Sequence, residues 1–260
     1  MDTVTLNSDL VIDRQSIGVS SSQYDWLGND LDGIFGLGPI DLTEDTVTNT
    51  YEVPTVMDNL YAQRTISSEV LGIYFVPASA DDTTGELTFG GYDNSKLQGD
   101  INYVPITSIS PASNYWGVDQ SISYEGVTIL SQTAGIVDTG TTLILIANGM
   151  HLSHDDEVLL TTCLDAFYKY QIATGAILDP NTGLLKISPD QYQKLSPLNF
   201  NIGGVSYQLT PNAQIWPRSL NTALGGTSGD IYLVVSYIGS NSGSGLDFIN
   251  GYCFLCAGSD

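Results

Sequence analysis

In the run Ala134-Gly135-Ile136-Val137-Asp138-Thr139-Gly140-Thr141-Thr142-Leu143-Ile144-Leu145-Ile146, a single acidic side chain interrupts two apolar stretches. Each stretch reads as a short strand, which places the Asp138 carboxylate at a strand end, over a hydrophobic floor. Such a group can do chemistry only if its direction is fixed. The hydroxyls of Thr139 and Thr141 can bond nearby backbone and the outer carboxylate oxygen, and Gly140 lets the backbone approach whatever stands beside it. Phosphorylation of the Asp, as in ion-pumping ATPases, would require a Lys between Asp and Thr and membrane spans; the sequence has neither. Two other groupings invite chemistry by residue type. His151 and His154 precede Asp155-Asp156-Glu157 and could be drawn as a metal site, but no supporting scaffold surrounds them, and a solvated loop is expected. Cys253 and Cys256 form a C-x-x-C without a βαβ pattern, so two incidental thiols are expected, with Cys163 left over.

The elements that must position Asp138 are mostly strands. Val, Ile, Thr and Tyr recur in short runs broken by Gly, Asn, Asp and Ser, the rhythm of an antiparallel β protein. Residues 3–6 and 10–12 read as a hairpin, and 70–76, 86–89, 101–104, 116–122, 200–202, 205–209 and 231–235 as further strands. Gly203-Gly204 fits a two-residue turn that needs positive φ. Helices are few. Residues 54–63 carry Val56 and Leu60 at i,i+4, and 165–174 place Phe167, Tyr168 and Ile172 along one side. Ser188-Pro189-Asp190-Gln191 reads as a capping box with Pro at N1. The tract 239–245 reads as a flexible loop by composition.

Composition narrows the function. Seven basic residues against 29 acidic ones give a net charge of −22 and a pI near 4.1. No basic stripe exists to neutralise phosphates or an anionic membrane surface, so neither nucleic acid nor membrane is an expected partner. No apolar run reaches the roughly 18 residues that span a bilayer. The start of the sequence has neither the basic nor the apolar region of a signal peptide. A hydrophobic content of 42% excludes disorder.

Residues 136–141 match the hydrophobic-hydrophobic-Asp-Thr-Gly-Ser/Thr motif, and here the chain resembles the pepsin-like aspartic proteases, most of all the secreted fungal enzymes of the polyporopepsin type. The likeness continues through Asp32-Gly33-Ile34-Phe35-Gly36-Leu37-Gly38, Gly85-Glu86-Leu87-Thr88-Phe89-Gly90-Gly91, Tyr115-Trp116-Gly117-Val118 and Asp247-Phe248-Ile249-Asn250-Gly251. The resemblance implies an all-β, bilobal pepsin-like acid-protease fold with few short helices. It implies an endopeptidase acting on protein or peptide substrates through two Asp carboxylates and an activated water, with no cofactor and no metal. It also implies an extracellular, monomeric protein made for acid, where most carboxylates are protonated and the charge of −22 largely vanishes. Asp138 is then catalytic, with Thr139, Gly140 and Thr141 as motif support, and Leu31, Ile34, Tyr115 and Thr142 as substrate-cleft candidates.

The chain departs from the family pattern in three places. Asp138 is the one Asp followed by Thr-Gly, so a second such loop, and the flap that accompanies it, are missing from this sequence. Residues 1–107 are therefore expected to be an incomplete first lobe, and 108–260 a nearly complete second lobe. Within the second lobe, about 148–164 reads as an atypical insert and 253–260 as an atypical tail.

Overall fold

The computed structural model describes residues 1–19, 32–48, 50–76, 85–149 and 164–256. Contacts divide the chain into two units, Met1–Ile73 with Glu86–Leu97, and Tyr74–Gly85 with Gln98–Asp260.

In the first unit, Asn7-Ser8-Asp9 closes a hairpin of β1 (Asp2–Thr5) and β2 (Val11–Gln15). Asn7 makes the turn, its side-chain oxygen accepting the N–H groups of Asp9 and Leu10, both at 2.9 Å. Helix α1 (Val56–Ala62) opens with a capping box in which Thr55 and Asp58 each satisfy the other's backbone N–H. It buries the expected Val56 and Leu60 against Ile12 and Ile66. Strands β3 (Leu71–Tyr74) and β4 (Glu86–Phe89) form a second two-stranded sheet.

The second unit carries the main core. Its seven-stranded sheet is built from β5 (Gly117–Tyr124), β6 (Val127–Val137), β7 (Ile144–Ile146), β10 (Leu198–Ile202), β11 (Val205–Leu209), β13 (Val235–Tyr237) and β14 (Phe248–Asn250). Their order is β11-β10-β5-β6-β14-β7-β13. A three-stranded sheet joins β8 (Ile177–Leu178), β9 (Leu185–Ile187) and β12 (Ile231–Tyr232). Gly203 and Gly204, at φ 57° and 83°, make the tight turn between β10 and β11. Helix α2 (Ala166–Thr174) is capped by Asp165, and the short α3 (Pro189–Tyr192) by the Ser188–Gln191 capping box. A final turn, α4 (Tyr252–Leu255), follows β14 directly.

Three expectations are corrected. Residues 101–104 form no strand; they run alongside the β10–β11 turn, where the Asn102 side chain donates to the Ile202 carbonyl at 3.0 Å. The strand expected over 231–235 is two strands, divided where Leu233 and Val234 donate to the Leu185 and Gln214 carbonyls. On α2 the buried aromatic beside Phe167 is Tyr170, while Ile172 is 66% exposed. The Tyr170 hydroxyl finds an acceptor in the buried Gln214 at 2.8 Å, which lets a polar-tipped ring replace an aliphatic one in the core.

Polar groups at the edge of this core set its response to pH. The Tyr232 hydroxyl donates to Asp179 Oδ2 at 2.8 Å, and Lys186 pairs with Asp230 at 3.2 Å. Burial pushes the Tyr232 hydroxyl up to about 12, with the Asp179 bond adding to it. Asp179 is held below its ordinary value, first by the Asn181 N–H and then by the Tyr232 hydroxyl. A depressed carboxylate gives its full stabilisation above the unfolded-state pKa and loses it as pH falls through the folded one. Urea midpoints measured from pH 5 to pH 2 should therefore fall for the wild type and run flatter for Asp179→Asn.

Candidate active site

Asp138 stands where β6 ends, and the strand that steadies this end comes from more than a hundred residues later. β14 enters between β6 and β7, parallel to the first (Ile249↔Ile136, Asn250↔Val137) and antiparallel to the second (Ile249↔Leu145, Asn250↔Ile144). The Asn250 carbonyl then accepts the Asp138 N–H at 3.1 Å. On the other flank, the Trp116 carbonyl accepts the Val137 N–H at 3.0 Å. The residue carrying the carboxylate is thus fixed through its backbone before its side chain makes any contact.

The side chain is directed by its own turn. Asp138 Oδ1 accepts the Gly140 N–H at 2.9 Å, and Oδ2 accepts the Thr141 hydroxyl at 2.7 Å. The Thr141 N–H returns to the Asp138 carbonyl at 3.3 Å. Two donors of different kinds therefore lock both oxygens in a half-buried carboxylate. Beneath them passes Gly251, where a Cβ would lie 2.3 Å from the carbonyl oxygens of both Thr141 and Leu143; no larger residue fits. From α4 the N–H groups of Tyr252 and Cys253 donate to the Thr141 and Thr142 carbonyls at 2.7 and 3.0 Å. The Tyr252 ring extends the clamp, packing on Phe75 and donating from its hydroxyl to the Val76 carbonyl at 2.5 Å.

The structure brings Asp138, Thr139, Gly140, Thr141 and Thr142 onto one turn, with Thr139, Gly140 and Thr142 exposed. Tyr115 precedes the Trp116 carbonyl that holds Val137, and its half-buried ring packs against the Ala112, Ala134 and Ile136 cluster. Ile34 belongs to the first unit, 67% exposed in a stretch that forms no strand among the described residues. Leu31, both histidines and Cys163 lie outside the described residues.

Two carboxylates outside the Asp138 turn order the loops of this unit. Buried Asp247, three residues before Asn250, accepts the Thr133 hydroxyl at 2.5 Å, the Gly243 N–H at 2.6 Å, and the Ser244 N–H and hydroxyl, both at 3.0 Å. Gly243 and Ser244 of the glycine-rich tract 239–245 are thereby tied to Asp247. In the sequence, Asp247 opens the run 247–251 already matched to the family. Asp165 caps α2 and also accepts from the backbone of Gly149 at 3.0 Å and of Ser242 at 2.8 Å.

Among the described residues, one carboxylate cluster and two thiols stand outside the Asp138 turn. Asp41, Glu44 and Glu52 bring carboxylate oxygens within 4.8 Å of one another, but all three are exposed and Glu44 is engaged by the Tyr51 hydroxyl at 2.5 Å. Burial pushes the Cys253 thiol up to about 12 and also raises Cys256, so both sulfurs stay protonated and weakly nucleophilic.

A carboxylate aimed by an Asp-Thr-Gly-Thr turn, with a strand passed between the two strands that flank the turn, defines the pepsin-like class of acid proteinase. The chain belongs to the eukaryotic aspartyl protease family, whose model matches residues 1–226. Polyporopepsin of Irpex lacteus is 53% identical to it over 258 residues, covering 98% of this chain and 70% of that protein. Rhizopuspepsin of Rhizopus chinensis is 31% identical over 253 residues, 93% of this chain and 57% of that protein. The crystal structure of the aspartic proteinase from Irpex lacteus matches with a TM-score of 0.86 at 52% identity, over 98% of this chain and 70% of that one.

The close approach at Gly251 makes a direct prediction. Gly251→Ala should destabilise the chain by about 1–3 kcal/mol in urea unfolding, the range for forcing extra volume into a packed site; an unchanged midpoint would show that the loop gives way freely.

Proposed function

We propose that Asp138 is one carboxylate of an aspartic-type endopeptidase centre acting on protein or peptide substrates, and that this chain carries that half alone. The observation that carries the reading is the locked carboxylate itself, with Gly140 N–H on one oxygen and the Thr141 hydroxyl on the other. Fixing both oxygens keeps the group in one direction without reorganisation when charge moves, which is what proton transfer to and from a bound water demands.

The chemistry needs a second carboxylate. Two such groups close together cannot both ionise, so their titrations split and belong to the pair. The ionised member takes a proton from the water while its partner gives one to the scissile carbonyl, so the step consumes no cofactor. Asp138 alone can accept the proton, and this sequence holds no second Asp-Thr-Gly carboxylate to return one. With a single Asp-Thr-Gly in the sequence, the chain on its own is a non-hydrolysing member of the family that at most binds peptide. Gly140, Thr141 and Thr142 are the backbone and side chains we assign to that contact; the assignment of Tyr115, Ile34 and Leu31 to substrate rests on sequence resemblance alone.

The atypical segment 148–164 fits the same reading as an insert in the second lobe. The residues at its two ends already meet, Phe167 N–H donating to the Ala147 carbonyl at 2.9 Å and Gly149 N–H to Asp165 at 3.0 Å.

Digestion of an acid-denatured protein substrate, with and without a statine-type inhibitor, separates the possibilities. The 260-residue chain and its Asp138→Asn variant should show the same absence of inhibitable cleavage. Inhibitor-sensitive cleavage by the wild type that disappears in Asp138→Asn would show that the chain assembles a complete pair.

A further inference from the structure

Asn250 interrupts the apolar end of β14, and it is wholly buried, as is Gln120 on β5. Their side-chain amides pair reciprocally: Gln120 Nε2 donates to Asn250 Oδ1 at 3.2 Å, and Asn250 Nδ2 donates to Gln120 Oε1 at 2.8 Å. β5 and β14 lie on opposite sides of β6, so the pair bridges the strand that delivers Asp138. Asn250 therefore meets three neighbours at once. Its side chain holds Gln120, its backbone pairs with Ile144 of β7, and its carbonyl accepts the Asp138 N–H.

Two apolar side chains would fill this volume, and would tolerate β14 sliding along β6. A reciprocal amide pair does not, because any slip leaves a buried donor and a buried acceptor without partners, a penalty larger than the worth of the bonds themselves. The level at which β14 stands beside β6 decides where the Asn250 carbonyl meets the Asp138 N–H. We propose that Gln120 is a positioning residue for Asp138, acting through Asn250 to fix the register at which the carboxylate turn is held. Its consequence for catalysis rests on the reading of Asp138 as a peptidase carboxylate; the positioning itself does not.

Amide hydrogen exchange in the full 260-residue chain tests it. The Asp138 N–H reports the register, and the Phe200 N–H, in the β10 strand on the far side of β5, reports global stability. In Gln120→Leu the acceleration of exchange at the Asp138 amide should exceed that at Phe200 at least 10-fold. Gln120→Glu adds a pH readout. A protonated Glu still donates to Asn250 Oδ1 and accepts from Asn250 Nδ2, whereas an ionised one loses its donor and opposes that oxygen. The ratio of variant to wild-type exchange at Asp138, compared at equal pH, should be near 1 in acid and climb at least 10-fold as the Glu ionises. A ratio independent of pH, or acceleration at Phe200 equal to that at Asp138, would overturn the proposal. Should Gln120→Leu not fold, the Glu variant in acid carries the test. Failure of the peptidase reading would be seen in the digestion assay and would leave these exchange ratios unmoved.

Discussion

The insertion of β14 between β6 and β7 is the constraint on which the site depends. Its three residues pair antiparallel with β7, and two of them, Ile249 and Asn250, also pair parallel with β6. Without them the ends of β6 and β7 would splay, and the turn they carry would have no floor. With them, Asp138 is held through Asn250, and the chain continues at once into Gly251 and α4, whose backbone N–H groups take the Thr141 and Thr142 carbonyls. A turn exposed on its upper side is thus tied from below by backbone bonds alone, and those do not depend on pH.

The side-chain groups around the turn are arranged on the same principle, with acceptors met by neutral donors. Asp138 takes an amide and a hydroxyl, Asp247 two amides and two hydroxyls, and Asp165 amides and a hydroxyl. Lys186 does pair with Asp230, at 3.2 Å. In a chain with 29 acids and 7 bases, carboxylates cannot all be answered by cations, so backbone N–H and hydroxyl groups serve instead. The scarcity of bases suits acid, where protonated carboxylates no longer repel and few positive charges remain to take their place.

How much of this was legible in the sequence depended on how local the cause was. The Asp138 turn, the Ser188 capping box, the Gly203-Gly204 turn and the buried Val56 and Leu60 all follow from residues within four positions of each other, and each formed as the local chemistry requires. Residues 101–104 have strand composition, yet no neighbouring strand offers a ladder, and composition cannot supply one. The exposure of Ile172 and burial of Tyr170 turn on Gln214, an acceptor 44 residues away. The Gln120–Asn250 pair is 130 residues apart and left no periodicity to read. Of the proposed cleft residues, Tyr115 and Thr142 share the unit that carries Asp138 and Ile34 does not.

Everything proposed for this chain requires that one lobe can aim a carboxylate unaided. The through-hydrogen-bond scalar coupling between the Gly140 amide nitrogen and the Asp138 carboxyl carbon measures that aim directly, in the ionised state of the full chain. A resolved coupling, with the exposed Gly140 amide protected from solvent, is the predicted result. No coupling, with Gly140 exchanging at the rate of an unbonded amide, would show that the turn is not preformed and that Asp138 is an ordinary surface acid.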